Sequence, residues 1–200
     1  MGRIQSNGMM LYDDSTKRVA GFMTLDGKEQ PFADRLLVSR QIGSVATPLA
    51  TLTGSAGALF TFTGAGPASI QIPAGLILPN SRVHVEALVK RTGATATANF
   101  EAYLGTAGTN GDSLLTRVVM SASDGNGAYM FGEGWFGTSP TSFVATGQVG
   151  PGSSSGGNTF IDKTTNINTA LPMYLSFGMA SSNAADSFAL LGLQVIIESL

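Results

Sequence analysis

The sequence predicts an all-β protein, an antiparallel β-sandwich of the jelly-roll type preceded by a small N-terminal β-meander. Three observations carry that prediction. From Arg82 to Gly105 the chain alternates with a period of two: Val83, Val85, Ala87 and Val89 against Arg82, His84, Glu86, Leu88 and Lys90. After a short Gly93-containing link, Ala98, Phe100, Ala102 and Leu104 alternate with Thr97, Asn99, Glu101 and Tyr103. That period turns one set toward a core and the other toward water or a partner. Second, short strand-like runs recur at near-regular spacing between Gly, Pro, Asn and Asp breakers, as in sandwiches and jelly rolls. Third, the chain has no long helical pattern and no internal repeat.

In chain order, Met9–Tyr12, Arg18–Thr24 and Lys28–Phe32 read as a three-strand meander, with turns at 13–16 and at Leu25-Asp26-Gly27. Asp-Gly is a favoured hairpin dipeptide. A unit this small buries little core alone, so it should be ordered by docking onto something larger. Pro31–Arg40 fits either a short helix or an extended connector. Residues 41–57, small and polar apart from Val45, Leu49 and Leu52, read as a linker. Three regions follow: an arm over 1–40, the linker over 41–57 and a sandwich over 58–200.

Within the sandwich the strand runs are Leu59–Thr63, Ser69–Ile72, the 82–90 and 97–104 pair, Leu114–Ala122, Ala128–Phe136, Ser142–Thr146, Thr159–Lys163, Met173–Met179 and Ala189–Glu198. The 82–90 and 97–104 runs look like a hairpin linked by Arg91–Thr95. Gly64-Ala65-Gly66-Pro67, Asp124-Gly125-Asn126-Gly127 and Gly150–Gly157 are breakers or loops, the last expected to be the most mobile. In the final strand Leu191, Leu193, Val195 and Ile197 should face the core. The 82–90 strand should lie at the centre of a sheet, beside the C-terminal strand, because both are long, regular and rich in branched apolar residues.

Composition narrows function by exclusion. Eleven basic and 13 acidic residues leave a net charge of −2. That gives no basic surface for nucleic acid. There is no cysteine for a disulfide or a thiol nucleophile. Met1–Leu25 lacks the continuous apolar core of a signal peptide, and no run has the length of a membrane span. Synthesis in a cytoplasm without membrane insertion is therefore expected. The charges are uneven: residues 1–40 hold 11 of the 24, and the other 160 residues hold 13. Charge depletion is typical of interface cores. Coverage of part of this surface by other copies of the chain is therefore expected, with Leu88, Tyr103 and Ile196 as apolar contacts on otherwise polar strand faces.

The search for chemistry returns little. His84 is the sole histidine and points the same way as Glu86. A zinc site needs three or four ligands, and a triad needs a nucleophile, a base and an orienting group; one His without Cys assembles neither. Asp124-Gly125-Asn126-Gly127 opens like a calcium loop but places Tyr129 where the motif needs Gly. Glu133 beside Trp135 suggests a sugar site, yet the sequence brings no second carboxylate opposite it. No catalytic residue, metal site or cofactor is expected, and the protein reads as a non-enzyme.

Several segments resemble a jelly-roll module of tailed-bacteriophage structural proteins. They are LPNSRVHVEALVKRTG (Leu78–Gly93), FEAYLGT (Phe100–Thr106), TSPTSFVATG (Thr138–Gly147) and MASSNAADSFALLGLQVIIE (Met179–Glu198). LYDDSTKRVAGFMTLDGKEQ resembles the short meanders that open many phage virion proteins. The resemblance implies a non-enzymatic virion component, commonly trimeric. It would be a tail-fibre or receptor-binding protein, with capsid decoration as the alternative and a polysaccharide-degrading enzyme a distant third. In that reading the N-terminal arm, through Leu11, Tyr12, Val19, Phe22 and Phe32, anchors the protein to other virion proteins. The sandwich faces outward, toward host-surface glycan or protein.

Overall fold

In a computed structural model, the residues described are 10–13, 18–23, 29–31, 34–53, 58–62, 69–93, 97–120, 127–146, 160–181 and 183–199. Every regular element among them is a strand, and every pairing is antiparallel. The meander is present as β1 (Met10–Asp13), β2 (Arg18–Met23) and β3 (Glu29–Pro31), which pair in that order as a separate three-stranded sheet. Its predicted turns, Phe32 and the side chains of Leu11, Tyr12, Val19 and Phe22 lie outside the described residues. So do the Gly64–Pro67 breaker, most of the Asp124–Gly127 turn and the Gly150–Gly157 loop.

The body is built from β4 (Asp34–Ile42), β5 (Ala50–Thr53), β6 (Ala58–Leu59), β7 (Thr61–Phe62), β8 (Ser69–Ile72), β9 (Ser81–Thr92), β10 (Ala98–Gly105), β11 (Ser113–Met120), β12 (Gly127–Trp135), β13 (Phe143–Thr146), β14 (Phe160–Lys163), β15 (Met173–Ser181) and β16 (Ser187–Ser199). The larger sheet runs β14-β13-β12-β9-β16-β5-β7, with β4 also on β16. The smaller runs β11-β10-β15-β6, with β8 also on β15. β10 and β11 lie side by side in one sheet, β9 and β12 in the other. β15 then returns beside β10 and β16 beside β9, so the chain closes as two interlocked Greek keys. This is the jelly-roll order.

Burial explains the order. Val83, Val85, Ala87 and Val89 of β9 are at most 2% exposed, and they share one core with Phe100, Leu104, Leu175, Phe177, Leu190 and Val195. Phe100 meets Phe60 edge-on at 5.9 Å and stacks on Phe177 at 6.4 Å, geometries that aromatic quadrupoles favour. On β12, Gly132 and Gly134 alternate inward. A Cβ on Gly132 would overlap Thr116, and one on Gly134 would crowd Leu115 and Phe143. Thr116 Oγ1 donates to the Phe131 carbonyl at 3.0 Å, joining the two sheets at that narrow corner.

Four expectations are corrected. β9 and β10 are not a hairpin: β9 pairs with β12 and β16, β10 with β11 and β15. Their link crosses between sheets, because each strand carries its own apolar row and the two rows close on each other. The 41–57 segment is not merely a linker, since β5 and the end of β4 add to the edge of β16. The arm likewise stops short of residue 40, because β4 is sheet from Asp34 and is neither helix nor connector. The Leu59–Thr63 run splits: β6 pairs with β15, β7 with β5, and buried Phe60 marks the crossing.

Candidate functional site

The outer face of the larger sheet brings together Arg82, His84, Glu86, Glu133 and Glu198 with the exposed apolar side chains of Ile42, Leu88, Tyr129 and Trp135. The register sets out its rows. Trp135, Arg82 and Glu198 stand side by side on β12, β9 and β16, followed by Glu133, His84 and Ile196, then Phe131, Glu86 and Gln194, then Tyr129, Leu88 and Gly192. On the far side of β16, Arg40 lies opposite Gln194 and Ile42 opposite Gly192.

Arg82 ties the first two rows together. Its Nη1 donates to Glu133 Oε1 at 3.0 Å and its Nε to Glu198 Oε2 at 2.9 Å, with a second donation from Nη2 to the same carboxylate. Its guanidinium carbon sits 4.9 Å from the Trp135 ring centre, within cation–π range. His84 lies between carboxylates, Nε2 at 2.9 Å from Glu86 and Nδ1 at 3.4 Å from Glu133, with the Phe131 ring centre 5.1 Å away. The sequence pairs His84 with Glu86 through their common face. It misses Glu133, which only the β9–β12 register brings across. The network is a braced set of ion pairs, and it offers no hydroxyl aligned on His84 for nucleophilic attack. Among the described residues no three His, Cys or acidic side chains converge as a metal site.

The last rows are open. Tyr129, Leu88 and Ile42 are 52%, 46% and 73% exposed. Between Leu88 and Ile42 stands Gly192, so the sheet surface sinks into a hollow of ≈ 160 Å³ lined also by Arg40, Glu86 and Gln194. A β-bulge forms the hollow. Leu190 is opposite Val89 and Gly192 opposite Leu88, which leaves Leu191 as the extra residue. The Leu191 carbonyl is taken by the Gly43 N–H at 2.7 Å. The bulge also resets the facing, so Phe188 and Leu190 point inward before it, and Leu193, Val195 and Ile197 after it. The expected inward place of Leu191 is therefore Leu190's. Beside the hollow, burial and then the charge and hydrogen bond of Glu86 hold the Tyr129 phenol above its ordinary pKa.

Of the three expected subunit contacts, only Leu88 is on the surface. Ile196 is 5% exposed and lies covered on the outer face, in the row of His84. Tyr103, 9% exposed, lies over the smaller sheet and donates its hydroxyl to buried Glu101, which also takes Arg117 Nε at 2.6 Å. Burial, then Glu101, raises the Tyr103 phenol pKa, keeping it a donor. Neither side chain is available to a neighbouring subunit, because each is already covered within its own sheet.

No protein-family model matches the chain. No curated protein matches it either. Among solved structures it is similar to the CBM2 module of the evolved Dit of Lactobacillus casei BL23 phage J-1. The likeness is at 10% identity over 84% of this chain and 98% of that one, with a TM-score of 0.37. At that score the fold assignment rests on the strand order above.

Proposed function

We propose that the chain is a non-enzymatic structural protein of a tailed-phage virion. It acts as a receptor-binding or tail-fibre component that is anchored by its N-terminal sheet and carries its jelly roll outward as a trimer. The observation that carries the reading is the open row of Tyr129, Leu88, Gly192 and Ile42 on an otherwise braced, charge-paired sheet face. A protein that only clasps a capsid has no use for such an open apolar row beside a charge-paired face. The segments that resemble phage modules coincide with β9, β10 and the β15–β16 end, which build that face and the core behind it. The three-stranded N-terminal sheet pairs within itself, as a detachable anchor would.

Two measurements test this. Deleting residues 1–33, which stops before β4, should leave a cooperatively melting body that no longer incorporates into particles. The wild-type copy number by quantitative mass spectrometry of purified particles should be far below that of the major capsid protein. A copy number in simple ratio to the capsid would assign the protein to decoration instead. Incorporation of the deleted form at full occupancy would remove the anchor.

The trimer is tested separately by native mass spectrometry at micromolar concentration, where a trimer is expected and a clean monomer would refute it. Three-fold assembly would give weak individual contacts avidity. Because Leu88 walls the hollow, the subunit contact must lie on another surface if the hollow is to stay open.

A further inference from the structure

We propose that the Gly192 hollow on the outer face of the larger sheet is a binding site for a single neutral pyranose ring, with Tyr129 and Leu88 as its apolar platform. This names the ligand class of the attachment reading above and rests on it.

The first observation is the glycine itself. Glycine inside a strand sacrifices backbone entropy and side-chain packing, and it often marks a place where something approaches the backbone closely. Gly192 has no structural requirement to be glycine. It is absent from the glycines with positive φ, and a Cβ there would find its nearest neighbour, the Gln41 carbonyl oxygen, at 3.8 Å. Gly132 and Gly134 are different, since protein atoms already fill the space their side chains would take. At Gly192 the space is empty and faces solvent. The bulge at Leu191 is what turns that empty position outward, and bulges are frequent next to functional sites.

The second observation is the chemistry of the walls. Tyr129 and Leu88 give a half-exposed apolar flank, while Glu86, Gln194 and Arg40 stand around it. One carboxylate and one guanidinium leave the rim without net charge, which suits a neutral ligand. The carboxylate accepts, the guanidinium donates and the amide does both, so a ring bearing several hydroxyls finds a partner on each side. Glu86 is held in place by His84 at 2.9 Å, so the acceptor is pre-positioned. The volume of ≈ 160 Å³ is about half the lower end of the roughly 300–1,000 Å³ typical for drug-sized ligands. That is room for one ring within the hollow. The hollow lies across β12, β9, β16 and β4, where β9 and β16 are paired on both sides.

The test is an amide-shift titration of the ¹⁵N-labelled full chain with the methyl pyranosides of glucose, galactose, mannose and N-acetylglucosamine. Saturable shifts at Leu88, Tyr129, Gly192 and Gln194 are expected for at least one, with a Kd on the order of 1 mM. Gly192→Val, which fills the hollow, and Tyr129→Ala, which removes the platform, should each weaken binding by about tenfold or more while the melting temperature is kept. Should Gly192→Val unfold, Gly192→Ala serves, since its added carbon meets nothing closer than 3.8 Å. Leu88→Asp should lose sugar binding and leave the oligomer intact. Absence of saturable shifts at these amides for all four sugars overturns the site. So does undiminished binding in Gly192→Val. Dissociation of the oligomer by Leu88→Asp would assign the face to a second copy of the chain and overturn it too. The copy number in particles has no bearing on these outcomes, so the virion reading and the site can fail independently.

Discussion

A chain ended at Leu190 should not fold. The cut removes Leu191 onward, and with it the stretch of β16 from Gly192 to Ser199 that pairs with β9 on one side and β4 on the other. β16 is therefore an inner strand, and its loss leaves a slot in the larger sheet lined by unpaired backbone groups. Leu193, Val195 and Ile197, each at most 3% exposed, leave the core at the same time. At about 1.5–3 kcal/mol for each fully buried aliphatic side chain, that alone is roughly 5–9 kcal/mol. A domain has only about 5–15 kcal/mol to lose, and the broken ladders add to the deficit. Thermal melting followed by circular dichroism should show no cooperative transition for the truncated chain. A truncated protein that kept the full-length melting temperature would remove β16 from the centre of the sheet.

Much of this arrangement is legible in the residues, because a period of two reports the facing of a strand directly. Val83 to Val89 and Leu193 to Ile197 point inward as their alternation requires, and β9 and β16 are neighbours at the centre of a sheet. What alternation does not report is the partner. Two strands joined by a short glycine-containing link look the same whether they pair edge to edge or face each other across a core. The β9–β10 hairpin expectation failed on that point. Polar composition misled in a second way. Residues 41–57 look like a linker because a strand as short as β5 buries only Ala50 and half-buries Leu52, between exposed threonines.

The site was legible only in fragments. His84 and Glu86 fall on one face by simple counting, but Glu133 joins them through a pairing between residues 49 apart in sequence. The bulge at Leu191 is invisible to periodicity, since the GLQVIIE run after it alternates without a break. The expectation that Tyr103 and Ile196 were exposed took an outward-facing position to mean a solvated one. The outer faces of these sheets are partly covered by their own long side chains, so facing and exposure separate.

Asp186→Ala should destabilise the protein by about 3–5 kcal/mol, the range for breaking a buried ion pair from one side. Arg91 and Asp186 are both 0% exposed. Sequence reading assigned Arg91 to the link after the 82–90 strand; instead β9 continues through it, and its Nε and Nη2 donate to Asp186 Oδ2 at 3.2 and 2.5 Å. The same carboxylate accepts Ser181 Oγ at 2.9 Å and Asn183 Nδ2 at 3.3 Å, and the Arg91 guanidinium carbon lies 5.9 Å from the Phe188 ring centre. The pair therefore fastens the turn between β15 and β16 to the end of β9, where the chain crosses between sheets. Gly93 leaves that crossing at φ +106°, and a Cβ there would press on Asp186 Oδ1. Alanine at 186 strands a guanidinium in the core and removes the acceptor that Ser181 and Asn183 share. The cost should come mainly from the stranded charge, so Arg91→Met in the Asp186→Ala background should recover part of it. Urea unfolding of the two single variants, the double variant and wild type gives the coupling energy directly. A loss below about 1 kcal/mol for Asp186→Ala, within the range of an exposed ion pair, would mean that water reaches the pair and that the crossing is held by its apolar neighbours alone.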